Sequence, residues 1–151
     1  MLDEEQLAAA KKICELFLWE KPESIEITFA ELKNSLANNY DINNAVRISM
    51  PWGAFYTFGW NEHDLLFLDY LIVKAKHLQI PLPHNLSEVE EITNSEAEGF
   101  YCDVIDRFSQ YNFDAWMLDL DKNCICITPL ELREEIIDAA TKIGLGLLLQ
   151  T

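Results

Sequence analysis

At 151 residues, half of them apolar, the chain is long enough to bury one ordinary core without disulfides or a metal. Twenty-six acids against eleven Lys and Arg give a net charge of −15, a field that repels phosphate backbones and argues against nucleic acid as a partner. No stretch approaches the ~20 apolar residues needed to cross a bilayer. The opening Met1-Leu2-Asp3-Glu4-Glu5 lacks the basic-then-apolar order of a secretory signal, so the expected location is the cytoplasm.

In chain order, residues 3–20 predict a helix. Leu7, Ala10, Cys14, Phe17 and Leu18 repeat at helical spacing, acids occupy the first turn, and Pro22 marks the stop. Thr28-Phe29-Ala30-Glu31 has the form of a capping box, predicting a second helix from Thr28 to about Asn38. Val46–Met50 and Ala54–Trp60 predict two strands around Pro51-Trp52-Gly53. Both faces of the second are apolar, which predicts a covered, central strand. Asn61 is the expected cap of a helix over 62–78 that ends before Ile80-Pro81-Leu82-Pro83. Residues 81–94 read as a long loop within one domain spanning 1–151.

A second box, Ser95-Glu96-Ala97-Glu98, predicts a helix to about Gln110. Strands follow over Asp114–Leu120 and Cys124–Thr128, turning at Asp121-Lys122-Asn123. A third box, Thr128-Pro129-Leu130-Glu131, opens a last helix that ends at Gly144, and Leu145–Gln150 is an apolar tail able to pair as a fifth strand. The expected class is therefore α+β, in the order α-α-β-β-α-α-β-β-α-β. It calls for a mostly antiparallel sheet of about five strands with helices packed on one side.

The constellations that carry chemistry elsewhere are incomplete. Asp119-x-Asp121-x-Asn123 opens like a calcium loop, but the sixth position is Cys124 instead of Gly and the twelfth is Leu130 instead of Glu, so a hairpin turn is the better reading. Asn61-Glu62-His63-Asp64 gathers acids and a His at a helix start, where capping and dipole matching account for them. His77 and His84 have no ligand-spaced partners. Cys14, Cys102, Cys124 and Cys126 read as reduced and mostly buried thiols, and no metal or cofactor is expected. The five glycines form no phosphate loop, and no Gly-x-Ser-x-Gly is present.

The segment from Gly99-Phe100-Tyr101-Cys102-Asp103 to Trp116-Met117-Leu118-Asp119-Leu120-Asp121 resembles an uncharacterised bacterial domain family. That family has an aromatic-Cys-Asp helix followed by a Trp-x-Leu-Asp-x-Asp strand. The likeness covers roughly residues 97–150, with Phe58-Gly59-Trp60 upstream. The chain departs from it at Lys122-Asn123, where the family carries Ser-Asp. The resemblance implies a fold more than an activity.

In size and charge the chain is also similar to bacterial toxin-immunity proteins, which implies an acidic, non-catalytic inhibitor of a basic toxin such as a nuclease. Residues 84–151 carry fourteen acids and four bases, against twelve and seven before them. The expected contact residues are accordingly Glu88, Glu90, Glu91, Glu96 and Glu98, with Trp52 as an aromatic anchor. The alternatives are a small enzyme built on Glu62, His63, Asp119 and Asp121, and an adaptor or oligomerisation domain.

Overall fold

The computed structural model describes residues 2–51, 54–58, 64–82, 94–119 and 123–150, with backbone alone for 57–58, 64–68, 94–101 and 123. Six α-helices are described: α1 (Glu4–Phe17), α2 (Ile25–Ala37), α3 (Ile42–Ser49), α4 (Asp64–His77), α5 (Asn94–Gln110) and α6 (Arg133–Ile143). Four strands accompany them: β1 (Tyr56–Phe58), β2 (Phe113–Leu118), β3 (Asn123–Pro129) and β4 (Leu147–Gln150). The sheet runs in the order β1-β3-β2-β4, and every pairing is antiparallel.

The expected five-stranded sheet with one helical layer is thus corrected in two respects. Residues 46–50 do not form a strand, because 46–49 belong to α3 and Met50 is its C-cap. Asp41 caps that helix by accepting the backbone N–H of Asn44 at 2.8 Å. Ala45, Val46 and Ser49 then fall on one buried helical face. Asp41 is held below the usual carboxylate range, first by that backbone bond and then by the side-chain amide of Asn44.

The second correction concerns the layers. Along β2 and β3 alternate residues point to opposite sides, and both sides are buried. Trp116, Leu118, Cys124 and Cys126 pack with α1, α3 and α6, whereas Ala115, Ile125 and Ile127 pack with α4 and α5. A sheet apolar on both faces must be covered twice, and helices lie on both. The strand over 54–60 is correspondingly not central. Its described part, β1, is an edge of the described sheet, pairing with β3 alone through Tyr56↔Ile125 to Phe58↔Asn123.

Local start signals were moved by tertiary context. Asp3 caps α1 in a true capping box with Gln6. Thr28 is buried inside α2, which starts at Ile25 after a 3-10 turn over Pro22–Ser24. Thr128 stays in β3, where its hydroxyl accepts the Trp116 indole N–H at 2.8 Å. Helix ends were better marked: Asn39 (φ 66°), Asn112 (φ 65°) and Gly144 (φ 71°) all adopt the left-handed conformation. The apolar C-terminal tail does pair, as the fourth described strand and with β2, Leu118 standing opposite Leu147 and Ala115 opposite Gln150.

Asn43 ties α3 to the end of the sheet. Its Nδ2 donates to the carbonyls of Asp119 (2.9 Å) and Gly146 (3.2 Å), and its Oδ1 accepts the N–H of Gly146 at 2.9 Å. A Cβ at Gly146 would stand 3.0 Å from Asn43 Nδ2 and 3.3 Å from Asp119 Cβ, so an alanine there pushes the clamp open. Asn43→Ala is expected to cost about 1–2 kcal/mol. The loss is read as a melting temperature lowered by about 2–4 °C per kcal/mol in a chain of this size. Gly146→Ala should fall in the same direction.

Candidate functional site

A cavity of about 690 Å³ opens between the two helical layers at the β1 side of the sheet. One wall is the C-terminal turn of α1 and the segment after it, with Phe17, Leu18, Glu20, Lys21 and Glu23. The other is a stripe of α4, Asp69, Tyr70, Val73, Lys74 and His77, spaced at three and four residues so that all project to one side. Ala54, Tyr56 and Ile127 complete it. Three-residue β1 does not extend along the far end of β3, and there the indole of Trp19 donates to the Ile127 carbonyl at 3.0 Å. Trp19 also packs its ring 6.0 Å from that of Phe113, closing the sheet edge beside the cavity.

The wall is mostly aliphatic and aromatic, and its polar centre is Glu20. One carboxylate oxygen is paired with the ammonium of Lys74, and the other lies 2.9 Å from His77 Nε2. Glu20 and Lys74 are only 18% and 12% exposed, whereas His77 is 68% exposed. Partial burial of an ion pair is costly unless both charges are matched closely, and here they are. Tyr56 stacks on Tyr70 with centroids 4.7 Å apart and planes within 13°. Burial, the largest cause, pushes the Tyr70 hydroxyl far above its ordinary value and keeps it protonated, with nearby negative groups adding to the effect. Phe17 meets Phe55 edge-on at 4.8 Å behind the wall.

Of the candidate site residues, Asp119, described with its side chain, does not line this cavity, whereas His77, which the sequence left without a ligand-spaced partner, does. Trp52, Glu88, Glu90 and Glu91 lie outside the described residues, as do Glu62, His63, His84 and Asp121. Glu96 and Glu98 are on α5, their side chains outside the description. Asp119 is exposed at the end of β2, where its carbonyl receives Asn43. What sequence reading missed is the meeting of Glu20 with Lys74 and His77, across separations of 54 and 57 residues. The available signal was the polar set Asp69, Lys74 and His77 at helical spacing, on a face other than that of the buried Leu71, Ile72 and Ala75.

The thiols offer little chemistry. None of the four cysteines is in a disulfide; Cys14, Cys124 and Cys126 are buried and Cys102 is exposed. Desolvation raises the Cys14 thiol to about 12 and pushes Cys126 up strongly as well, so neither supplies a thiolate near neutrality. Among the described residues no group of three or more His, Cys, Asp or Glu is placed to hold a metal ion. No described helix is long and apolar enough to cross a membrane. No protein-family model, curated protein or solved structure matches the chain.

Two outcomes test this geometry. Glu20→Gln strands the Lys74 ammonium against an apolar wall and should destabilise by about 2–3 kcal/mol, while Glu20→Leu combined with Lys74→Met should recover most of that in thermal melts. In the native protein a thiol reagent at neutral pH should modify Cys102 rapidly and reach the other three only on unfolding.

Proposed function

We propose that this chain is a non-catalytic, acidic binding domain whose partner is a basic protein, in the manner of an immunity protein that neutralises a toxin. The supporting observation is how the few bases are spent. Lys11, Lys12, Lys74, Arg133 and Lys142 are each engaged with an acid of the same chain. Exposed acids such as Glu4, Glu5, Glu31, Asp103, Asp106 and Glu131 make no ion pair among the described residues. The surplus carried in composition therefore survives as uncompensated surface potential, which accelerates encounter with a positive partner.

Exposed apolar side chains stand within this surface, among them Val73 at 59% and Ile137 at 49%. They supply the contact area that charge alone does not. A second reading has one specific observation in its favour. The Glu20 carboxylate beside His77 Nε2 is the arrangement that orients an imidazole for general base work. The described lining of the cavity holds no Ser, Thr or Cys for that base to activate.

The deciding measurement is association kinetics with a basic polypeptide, sought first among the products of the genes adjoining this one. On raising salt from about 50 to about 300 mM the on-rate should fall at least tenfold with little change in off-rate. The partner's own activity should stop at stoichiometric addition. A salt-independent on-rate, or no affinity for a basic neighbour, ends this reading. Hydrolytic turnover lost in His77→Ala would favour the second.

A further inference from the structure

We propose that the cleft between α1 and α4 is where the basic partner inserts a short segment carrying an arginine or lysine flanked by apolar residues. This rests on the basic-partner reading and names the site for it.

Three features of the cleft point to such an occupant. At about 690 Å³ and open to solvent on one side, it exceeds what a single side chain fills and suits a few residues of chain. Its walls are mostly apolar, and Val73 stands on the α4 wall 59% exposed, an apolar side chain with unburied area beside the opening. Two carboxylates, Glu23 on one side and Asp69 on the other, are exposed, and neither makes an ion pair among the described residues.

The positive groups of the lining do not reverse this polarity. Lys74 and His77 share the carboxylate of Glu20, so that set is internally matched. Lys21 is the remaining base of the described lining, set against the two carboxylates of Glu23 and Asp69. An anionic occupant would have to compete with Glu20 for Lys74 while facing Glu23 and Asp69 in a chain of net charge −15. A cationic head gains two carboxylates and displaces nothing, and its aliphatic stem and neighbours cover Val73 and the aromatic wall.

The experiment uses the full chain and three fluorescein-labelled peptides in which leucine alternates with arginine, with lysine or with glutamate, read by anisotropy at physiological salt. The arginine and lysine peptides should bind and the glutamate peptide should not. Val73→Arg, which places a cation and bulk in the opening, should weaken binding at least tenfold. Glu23→Gln with Asp69→Asn should weaken it at least fivefold. Glu4→Gln with Glu5→Gln removes the same charge at the far end of α1 and should change it less than twofold. Circular dichroism checks that each variant is folded; should Val73→Arg unfold, the Glu23/Asp69 pair decides.

If the Glu4/Glu5 pair weakens binding as much as the Glu23/Asp69 pair, attraction is diffuse and the cleft assignment is overturned while the basic-partner reading stands. Tighter binding of the glutamate peptide overturns the assignment as well. Absence of binding by all three peptides also overturns it, and the kinetics with the basic polypeptide then show separately whether the broader reading survives.

Discussion

The β2–β3 hairpin is apolar on both faces, and most of the architecture follows from that. Residues 124–128 are five consecutive buried positions, and Ala115, Trp116 and Leu118 are buried beside them. Such a ribbon cannot leave one side to water, so it calls for a helical layer on each. α1, α3 and α6 cover one face and α4 with α5 the other. The cleft is a consequence of the same requirement. Two layers meet at a sheet edge where β1 is only three residues long, and the space between them is bridged by the Glu20–Lys74 pair and sealed behind by Trp19.

Charge is allocated unevenly in this framework. The buried Asp114, 4% exposed, accepts two bonds from Arg133, at 2.9 Å from Nε and 2.5 Å from Nη2. A bidentate pair of this kind satisfies a carboxylate that would otherwise be costly at the sheet surface. Lys74 plays the corresponding part for Glu20. Eleven bases are few, and those used to neutralise interior or half-buried acids are lost to the surface. Lys11, Lys12 and Lys142 pair with the exposed Glu26, Glu135 and Asp138, while exposed acids such as Glu4, Glu5, Glu31 and Glu131 make no ion pair among the described residues, and that remainder is what the proposed partner would meet.

Helix starts illustrate where local reading holds and where it yields. Three Ser/Thr-x-x-Glu boxes were available, at Thr28, Ser95 and Thr128. Thr28 lies in mid-helix and Thr128 in a strand, while α5 begins at Asn94, next to the Ser95 box. The two described side-chain caps are aspartates, Asp3 and Asp41. A short box pattern recurs by chance, and burial decides whether its hydroxyl faces an open helix end. Thr128 had a stronger claim on it, the indole of a buried Trp116 that needs an acceptor. Left-handed ends at Asn39 and Gly144 were easier to read, because the backbone conformation there depends on the residue itself.

By itself the sequence determined the α+β class, the β2–β3 hairpin, most helices to within a few residues, the pairing tail at 147–150 and the large negative charge. These follow from composition and from periods of two and 3.6 residues, which are local. Tertiary structure alone decided that Val46 to Ser49 coil into α3, that β1 sits at an edge, and that helices cover both sheet faces. It also brought Glu20 to Lys74 and His77, and Asn43 to Gly146. Apart from α3, which a local cap at Asp41 opens, these pairings join residues 50 or more positions apart, and no spacing along the chain encodes which distant polar groups will share one wall. The continuous apolar run 124–127 was a local trace of the double-sided core, legible because a strand with water on one face alternates and this one does not.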